Sequence, residues 1–543
     1  MKRKLTPVFK EYMPDQPLLL PPSLEELIAP GHPVRVVKEI IDGIDLTPLI
    51  EQYKGGGTSS YHPKMLLKIL VYGYVSNIYS SRKLEAAAKE NIHFMWLAAM
   101  KTPDHHTINR FRGKRLNDAL RNIFTQVVNL LAAEGLLSIK DIYVDGTKIE
   151  ANANRYTFVW GNAIKTNKEK IGKQLEELWR YAEQVTAAEG NEPEPPDFTV
   201  IDKEKVQQAI EKIDAALKDK PAVSKEVKQK LKYAKKTWPG KLEQYAAQER
   251  ILAGRKSYSK TDNDATFMRL KEDHMRNGQL KPAYNVQVSS SNQFIVDYSI
   301  HPNPTDTTTL IKHLEQHKEQ YNELPSCITA DAGYGSEENL QYIEDNNIEG
   351  YVKYNYFDRQ QQDSYNRQYP FAAGNLYYNE EKDCLYCPMG QSMHCIGSYT
   401  NTTATGYEQH IKRYQAKNCE GCPLRGVCHK AKGNRIIEVN HNLNRLKQKA
   451  WQELTSEDGI AHRKQRCHDI EPVFGNIKSN HGFRRFMLRG KQKVAIEFGI
   501  LAIAQNIRKR CAAETAKNAK THAKSSSTTQ QPLSYAAACA LAA

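Results

Sequence analysis

The sequence has no run of about 20 apolar residues, which is the length that a membrane-spanning helix requires. Its basic start, Met1–Lys4, is followed by only a short apolar run, Leu18–Leu20, which lies between prolines. Such a run is too short for the core of a secretory signal. These absences argue against a membrane protein and lead us to expect a cytoplasmic one.

Cysteine is scarce outside one stretch of the chain, since six of the 10 cysteines lie between Cys384 and Cys428. In a cytoplasmic chain, such clustering favours metal ligation or reduced thiols over a disulfide framework. The pairs Cys384-x2-Cys387 and Cys419-x2-Cys422 have the spacing of a zinc ribbon and predict a structural Zn²⁺ site. Cys395 or Cys428 could replace one ligand, and free thiols packed in an insert are the alternative.

Acidic residues are outnumbered, with 62 Asp and Glu against 77 Lys and Arg and a net charge of +15. A positive excess favours a polyanionic partner, because each neutralised phosphate releases condensed counterions. The alternative is a generic basic protein with a solvated surface. The 543 residues exceed one ordinary domain, and a hydrophobic share of 40% is enough to form buried cores.

The N-terminal part is predicted to be helical. Residues 1–22 contain prolines and should be extended, whereas residues 23–137 should form a helical domain. Within it, Thr102–Arg112 predicts a short polar and basic helix after a proline turn, which gives a helix-turn-helix-like arrangement. An ordinary helical hairpin is the alternative. We expect DNA contacts from His105, His106, Thr107, Asn109, Arg110 and Arg112.

The middle of the chain alternates strand and helix patterns, which predicts a mixed α/β fold. This core would be built from residues 138–160, 261–370 and 436–511. Two inserts interrupt it, a charged helical insert at 161–260, interpreted as a helical hairpin, and a small cysteine-rich insert at 371–435. Residues 512–543 are rich in Ala, Ser, Thr and Gln and are expected to be a disordered tail.

Three acidic residues stand at positions suited to catalysis. Asp145 and Asp331 each end a predicted strand before a glycine-containing turn, where ligand sites commonly form. Glu471 precedes Pro472, as in a first helical turn, and Lys478 would lie two turns further on the same face. Three such carboxylates can hold two magnesium ions for phosphoryl transfer. The alternative for each acid is a cap or an ion-pair partner, and Asp306 is interpreted in that way, as a turn or cap residue.

Longer segments resemble the DDE-type transposases of bacterial insertion sequences. Residues 18–115 are similar to the helical domain that precedes their catalytic core. The segments similar to that core are Tyr143–Ala153 for the first aspartate, Ala283–Gln287 for the next strand, Ala330–Gly335 for the second aspartate, and Ile470–Lys478 with Gly482–Phe486 and Arg489–Gly490 for the glutamate.

The resemblance implies an RNase H-like core in which Asp145, Asp331 and Glu471 bind two Mg²⁺ or Mn²⁺ ions and Lys478 assists at a phosphate. It implies binding of double-stranded DNA at terminal inverted repeats, action as a homo-oligomer, strand cleavage by water and attack of the freed 3′-hydroxyl on target DNA. Such a protein would associate with the nucleoid when bound. The glutamate segment adds three candidate DNA contacts, Arg484, Arg485 and Arg489.

The chain departs from the related signature Tyr-x2-Arg-x3-Glu-x6-Lys. That signature would place a tyrosine at position 464 and an arginine at position 467, where the chain has Lys464 and Cys467. Arg463 and Arg466 are the candidates to replace the arginine. Two other functions stay open at this stage, a zinc-containing DNA-binding protein with an inactive core and a related nuclease that cuts without joining.

Overall fold

The computed structural model describes residues 23–53, 60–187, 195–218, 220, 223–271, 278–368 and 370–528. The chain divides into two compact units, Met1–Leu116 with Arg510–Ala543, and Asn117–Lys509. The N-terminal segment of the first unit therefore ends at Leu116, whereas we predicted the end of the helical domain at residue 137. The predicted extended segment 1–22 and the last part of the predicted tail, 529–543, lie outside the described residues.

The N-terminal part of the first unit is helical, as predicted. In both of its helices that start with proline, a histidine precedes the proline and its ring nitrogen accepts the backbone N–H two residues on. The proline has no N–H to satisfy, so both first turns are capped. The elements are α1 (Pro33–Gly43), α2 (Thr47–Ile50), α3 (Pro63–Val75), α4 (Ser81–Glu90), α5 (Ile92–Leu97), α6 (His105–Arg110) and a π-helical turn (Phe111–Arg115).

The second unit opens with one helix and two strands before the charged insert. The elements are α7 (Leu120–Ala133), β1 (Asp141–Glu150), β2 (Phe158–Trp160), α8 (Gly161–Ala187), α9 (Lys203–Leu217), α10 (Lys225–Leu252) and β3 (Ser257–Ser259). Strands β2 and β3 pair with each other. The described part of the insert contains three helices, where we expected a hairpin, and they share one core that includes Leu175, Ile213 and Trp238.

A six-stranded sheet forms the centre of the second unit. The strands that join β1 are β4 (Thr266–Arg269), β5 (Leu280–Ser291), β6 (Phe294–His301), β7 (Cys327–Ala330) and β8 (Glu349–Val352). The order is β4-β5-β1-β7-β8, and β6 also pairs with β5. Strand β5 is antiparallel to β1, β4 and β6, whereas β1, β7 and β8 are parallel. Helices α11 (Leu310–Tyr321) and α12 (Glu337–Asp345) connect β6 to β7 and β7 to β8, so the predicted mixed α/β class is confirmed.

Strand β1 does not end at Asp145 as we predicted. It continues to Glu150, because Thr147 and Ile149 are β-branched residues that favour a strand and extend the pairing with β5. Asp145 therefore lies in the middle of a central strand, and Gly146 is a strand residue, where we had predicted a turn.

The cysteine-rich part is a small antiparallel sheet with its own core. After α13 (Phe357–Gln360) and α14 (Asp363–Gln368), the strands run in the order β13-β12-β11-β10-β9. They are β9 (Tyr378–Asn379), β10 (Cys384–Tyr386), β11 (Ser392–Thr402), β12 (Glu408–Ala416) and β13 (Ile436–Val439). Leu385, Met393 and Tyr414 are buried between them. Strand β13 lies beyond residue 435, so the sheet extends past the predicted end of the insert.

Three long helices follow, α15 (His441–Thr455), α16 (Glu457–Gly475) and α17 (Lys491–Thr528), with a π-helical turn (Asn476–Asn480) after α16. Helix α17 has an apolar stripe that includes Val494, Phe498 and Ile507, and these residues are fully buried. Helix α17 continues to Thr528, so the prediction of disorder from residue 512 is wrong up to that point. Several alanines and lysines, which are strong helix formers, occur in this stretch. Within the described ranges, no helix is long and apolar enough to cross a membrane.

Candidate active site

Two of the predicted acids lie on neighbouring parallel strands. Val144 of β1 pairs with Ala330 of β7, and the next residue on each segment is an aspartate, Asp145 and Asp331. Asp331 also caps the short helical turn after β7, because its Oδ1 accepts the Gly333 N–H at 2.8 Å. The strand register alone therefore places the two carboxyl groups side by side.

Helix α16 brings the third acid and an arginine to the same place. The Arg466 guanidinium lies 3.1 Å from Asp145 Oδ2 and 3.7 Å from Asp331 Oδ2, both measured from Nη2. Its Nη1 lies 3.7 Å from Glu471 Oε1. The three carboxylates thus converge on one positive group, which neutralises part of their mutual repulsion.

Burial differs sharply among these side chains. Asp145 is 11% exposed, whereas Asp331 is 42% and Glu471 57% exposed. Burial raises the pKa of Asp145 to about 6; the charge of Arg466 opposes the rise and that of Asp331 adds to it. The site is therefore buried at Asp145 and open to solvent at Asp331 and Glu471.

Glu471 does not lie in a first helical turn as we expected, because α16 begins fourteen residues earlier, at Glu457. Pro472 is therefore inside the helix, where it cannot donate to the carbonyl of His468. Gln293, at the tip of the β5–β6 hairpin, donates to that carbonyl from Nε2 at 2.9 Å. This contact satisfies the carbonyl that the proline leaves unpaired, so the helix can continue through the position of the acid.

The predicted relation between Glu471 and Lys478 assumed a regular helix, and this assumption is wrong. The π-helical turn Asn476–Asn480 contains Lys478 and changes the helical phase before it. Lys478 is buried, at 9% exposure, and its carbonyl accepts from Arg484 Nε at 3.1 Å. Its role at a phosphate remains a prediction.

Of the two candidates to replace the signature arginine, the structure places Arg466 at the acids. The Arg463 guanidinium lies over the Phe357 ring, 5.2 Å from its centroid. Lys464 and Cys467, which occupy the signature positions, are exposed. The arginine therefore precedes the glutamate by five residues in this chain, and not by four.

Asp306, which we interpreted as a turn or cap residue, has side-chain contacts beside the acidic site that the sequence interpretation missed. Its Oδ1 accepts from Asn285 Nδ2 at 2.7 Å and from Gln287 Nε2 at 2.8 Å. If Gly146 had a Cβ, that atom would lie 2.5 Å from Asp306 Oδ1. If Gly333 had a Cβ, that atom would lie 3.8 Å from Asp306 Oδ2. Asp306 is thus wedged between the two aspartate segments. Asn285 and Gln287 lie two residues apart on β5, so their amides face the same side of the sheet. This spacing was the signal in the sequence for a polar partner such as Asp306.

The predicted arginines of the glutamate segment lie along the end of β1. Arg485 Nε donates to the Ala151 carbonyl at 3.2 Å, and Arg489 Nε donates to the Asn152 carbonyl at 2.7 Å. Arg484, Arg485 and Arg489 are all exposed. They form an exposed basic edge beside the strand that carries Asp145.

In the helical unit, most of the predicted DNA-contacting side chains lie at the surface of α6. Asp104 caps this helix by accepting the Thr107 N–H at 2.7 Å. The His105 ring nitrogen Nδ1 lies 2.6 Å from Glu85 Oε2, which fixes the ring at the start of the helix. His106, Asn109 and Arg110 are exposed, and His105 and Thr107 are half-buried.

Arg112 departs from the predicted set because it is buried, at 2% exposure. Its guanidinium donates to the Tyr74 hydroxyl at 3.1 Å and to the Tyr79 carbonyl at 2.9 Å. It also donates to Asn109 Oδ1 at 3.0 Å. These contacts give Arg112 a structural role, since a guanidinium that is enclosed in this way cannot reach a phosphate.

The four cysteines predicted to bind zinc are not brought together as one set. Cys387, Cys419 and Cys422 line a cavity of about 20 Å³, but the fourth cysteine on its wall is Cys428. Cys384 is buried in β10 and is absent from that wall. The structure thus places Cys384 apart from the other three cysteines, because spacing alone cannot show which way a strand residue faces.

Across the parts of the chain that the structure describes, no group of three or more His, Cys, Asp or Glu side chains stands ready to hold a metal. At the acidic site, Arg466 lies where the carboxylates converge. The donor set itself suits a hard divalent cation, which prefers carboxylate oxygens. Binding of such a cation would require Arg466 to move away.

Two protein families match parts of the chain. The family described as Transposase domain (DUF772) matches residues 22–114, and the family described as Transposase DDE domain matches residues 386–511. The second match includes Glu471 and the cavity cysteines, whereas Asp145 and Asp331 lie outside both matches. No curated protein and no solved structure matches the chain.

Proposed function

Since the chain is a DDE-type transposase of an insertion sequence, as both family matches support, we propose that it binds the terminal inverted repeats of its element and catalyses metal-dependent DNA cleavage and strand transfer. The observation that carries this proposal is the convergence of Asp145, Asp331 and Glu471 on Arg466. These four charged groups come from three separate segments, β1, the end of β7 and α16, and they meet at one place.

The sheet supports an RNase H-like core for this activity. Strand β5 is antiparallel to its three partners β1, β4 and β6, and β7 and β8 continue the sheet parallel to β1. This arrangement puts the first acid on the central strand and the second beside it. The third comes from a helix near the C-terminal end of the unit, as the resemblance implies.

In the proposed site, Asp145, Asp331 and Glu471 hold two divalent ions, Mg²⁺ or Mn²⁺. When bound, two such ions activate the attacking oxygen and stabilise the leaving oxygen of an in-line phosphoryl transfer. Arg466 then leaves the carboxylates and pairs with a DNA phosphate, for which its planar guanidinium is suited. Lys478 is proposed to meet a phosphate as a point charge.

The proposed reaction consists of two successive phosphoryl transfers, and in each of them one bond to phosphorus forms as another breaks. In the first, a water oxygen forms a bond to phosphorus at the element end, and the bond from phosphorus to the 3′-oxygen breaks to leave a 3′-hydroxyl. In the second, that hydroxyl attacks a target phosphate and displaces a 3′-oxygen of the target strand, so the number of phosphodiester bonds is conserved.

The partner in this proposal is double-stranded DNA, both as element ends and as target, and the protein acts as a homo-oligomer on paired ends. The basic edge formed by Arg484, Arg485 and Arg489 is proposed to contact the backbone near the reacting phosphate. Exposed side chains of α6 are proposed to contact the repeat. These are His105, His106, Thr107, Asn109 and Arg110.

The test is magnesium-dependent cleavage of a duplex that carries the element end. Asp145→Asn, Asp331→Asn and Glu471→Gln should each slow cleavage by about 10³-fold, since the lost charge stabilisation amounts to about 4 kcal/mol. DNA binding, measured by gel shift, should persist. Glu457→Gln, an exposed acid at the start of the same helix as Glu471, is the matched control and should cut normally.

Three results would redirect the interpretation. A triad variant that cuts at the wild-type rate would remove that residue from the site. A wild-type protein that binds the end but never cuts would favour a DNA-binding protein with an inactive core. Cleavage without joined products in a strand-transfer assay would favour a nuclease.

A further inference from the structure

Four cysteines of the small antiparallel sheet line one enclosed space. Cys387, Cys419, Cys422 and Cys428 stand around a cavity of about 20 Å³. A cavity of this size accommodates roughly one water molecule or ion. All four are free thiols, and none of them takes part in the proposed reaction at the acidic site.

Tight backbone turns hold these thiols at the cavity. Gly390 N donates to the Cys387 carbonyl at 2.8 Å, and Cys387 N donates to the Gln391 carbonyl at 2.8 Å. Gly390 has φ 78°, and Gly421, between Cys419 and Cys422, has φ 68°. Both values favour glycine, because a Cβ is strained in the left-handed region. The turns therefore fix the backbone beside the sulfur atoms.

One arginine donates to two of the sulfur atoms. Arg435 N donates to Cys419 Sγ at 3.4 Å, and Arg435 Nη1 donates to Cys428 Sγ at 2.9 Å. Arg435 is 8% exposed, so its charge acts in a partly dehydrated place. The Arg435 guanidinium is therefore positioned to offset negative charge at the sulfur atoms.

A histidine on the cavity wall has unsatisfied nitrogens. His429 lines the same cavity, and neither of its buried ring nitrogens finds a hydrogen-bond partner among the described residues. Buried polar atoms without a partner are rare and unfavourable by roughly 1–3 kcal/mol each. The two unpartnered nitrogens of His429 therefore indicate a bound group in the cavity, independently of the thiols.

We propose that Cys387, Cys419, Cys422 and Cys428 bind one structural Zn²⁺. Four thiolates complete the tetrahedral shell of a closed zinc site, and their softness selects zinc over magnesium. Zn²⁺ with four thiolates carries a net charge of −2, which the guanidinium groups of Arg425 and Arg435 on the same wall offset. A ring N–H of His429 then donates to a ligand sulfur.

The thiols line the wall without standing in coordination geometry, since no described group of three or more ligating side chains does so. A cysteine has one side-chain torsion, and its staggered wells differ little in energy. Zinc binding therefore requires the thiols to turn toward the centre of the cavity, where Zn–S bonds are about 2.3 Å long.

The proposal differs from the spacing-based prediction at one position, and this difference makes it testable. Cys384 belongs to a Cys-x2-Cys pair, but it is buried in β10, away from the cavity wall. Cys428 belongs to no such pair, yet it lines the cavity. Two serine substitutions therefore separate the two ligand sets.

The experiment measures zinc in the purified full-length protein by inductively coupled plasma mass spectrometry. Wild type and Cys384→Ser should contain about one zinc per chain, and Cys428→Ser and Cys422→Ser should lose it. In wild type, titration with a mercurial thiol reagent should release the zinc to a chromogenic chelator as the ligand thiols react. This second measurement holds even if a variant fails to fold.

Two outcomes would overturn the proposal. One is wild type that holds no zinc after purification and none after incubation with zinc and removal of the excess. The other is loss of zinc in Cys384→Ser with retention in Cys428→Ser. Neither outcome depends on DNA cleavage, so a failure here is distinguishable from a failure of the proposed transposase activity.

Discussion

The acidic site and the cysteine cavity are built in opposite ways. Asp145, Asp331 and Glu471 come from a central strand, the end of its neighbour and a late helix, so their segments are far apart in the chain. The cavity is lined by a single insert between residues 387 and 435. Each place holds an arginine, but Arg466 lies where the carboxylates converge, whereas Arg435 donates to sulfur from the wall.

The difference shows how a cation can be accommodated in each place. At the acidic site, Arg466 lies among the carboxylates that we propose as metal ligands, and it would have to leave before a metal binds. At the cavity, the arginine contacts the ligands without lying among them, so it can remain and offset their charge. The acidic site also depends on the register of the whole sheet, whereas the cavity depends only on local turns. The following predictions test this contrast.

The largest effect is expected from Gly146→Ala. The new Cβ would lie 2.5 Å from both Asp306 Oδ1 and Gln287 Nε2, so the buried part of the acidic site must shift. We expect roughly 100-fold slower cleavage and a free energy of unfolding lower by about 1–3 kcal/mol, measured by urea denaturation.

Gly475→Ala is the matched control, because nothing lies within 4 Å of its new Cβ. Zinc content should be unchanged in both variants. Loss of zinc in Gly146→Ala would show that the two places are coupled through the sheet.

A smaller effect is expected from Arg466→Gln in the absence of DNA. Removal of the competing charge should tighten Mn²⁺ binding by about tenfold, which corresponds to about 1.4 kcal/mol. Calorimetric titration is done well above the Asp145 pKa of about 6, so that all three carboxylates are ionised.

Arg463→Gln, on the same helix but over the Phe357 ring, should bind Mn²⁺ as wild type does. An Arg466→Gln protein with unchanged or weaker affinity would mean that the guanidinium does not compete with the cation.

The effect of pH on Mn²⁺ affinity should be smaller than the effect of Arg466→Gln. The pKa of Asp145 is about 6 in the folded chain, above the ordinary 3.8, so its carboxyl is neutral below that value and cannot ligate. Mn²⁺ affinity should therefore be about twofold below its plateau at the pKa itself and fall further as the pH decreases.

Stability of the metal-free protein should show the opposite trend. A raised pKa contributes stability that is present below the unfolded value of 3.8 and is lost as the pH rises through about 6. Asp145→Asn should remove the pH dependence that this carboxyl contributes, both to Mn²⁺ affinity and to the stability of the metal-free protein. A wild-type Mn²⁺ affinity that is constant across the interval would contradict the assignment.

The smallest effect is expected from Arg485→Ala. Loss of one phosphate contact should reduce the slope of log affinity against log salt by about one, with little preference among DNA sequences. Arg180→Ala, an exposed position on the helical insert, is the control. An equal change of slope in both variants would mean that the insert shares the DNA surface.

The sequence was informative where a residue's environment depends on near neighbours. The buried residues of α17 and of the insert helices recur at helical spacing in the sequence, because helical periodicity sets the buried face. The resemblance of the aspartate and glutamate segments to those of DDE-type transposases predicted the three acids that meet at Arg466, although their catalytic role remains to be tested.

Where contacts are distant, the sequence was misleading. Gly146 suggested a turn because the partner that needs its small size, Asp306, lies far along the chain. Pro472 suggested a helix start because the amide that compensates it belongs to Gln293. Arg466 is separated from Asp145 by 321 residues, and no local pattern distinguishes it from Arg463.

Gln293 also sets an order of events during synthesis. This hairpin-tip residue contacts His468 and Lys509, which are 175 and 216 residues further along the chain. At about 5–20 residues per second on the ribosome, the hairpin waits roughly ten seconds or more for these partners. A nascent chain therefore carries Asp145 and Asp331 well before Arg466 and Glu471, so the charged groups of the acidic site can meet only after α16 has been synthesised.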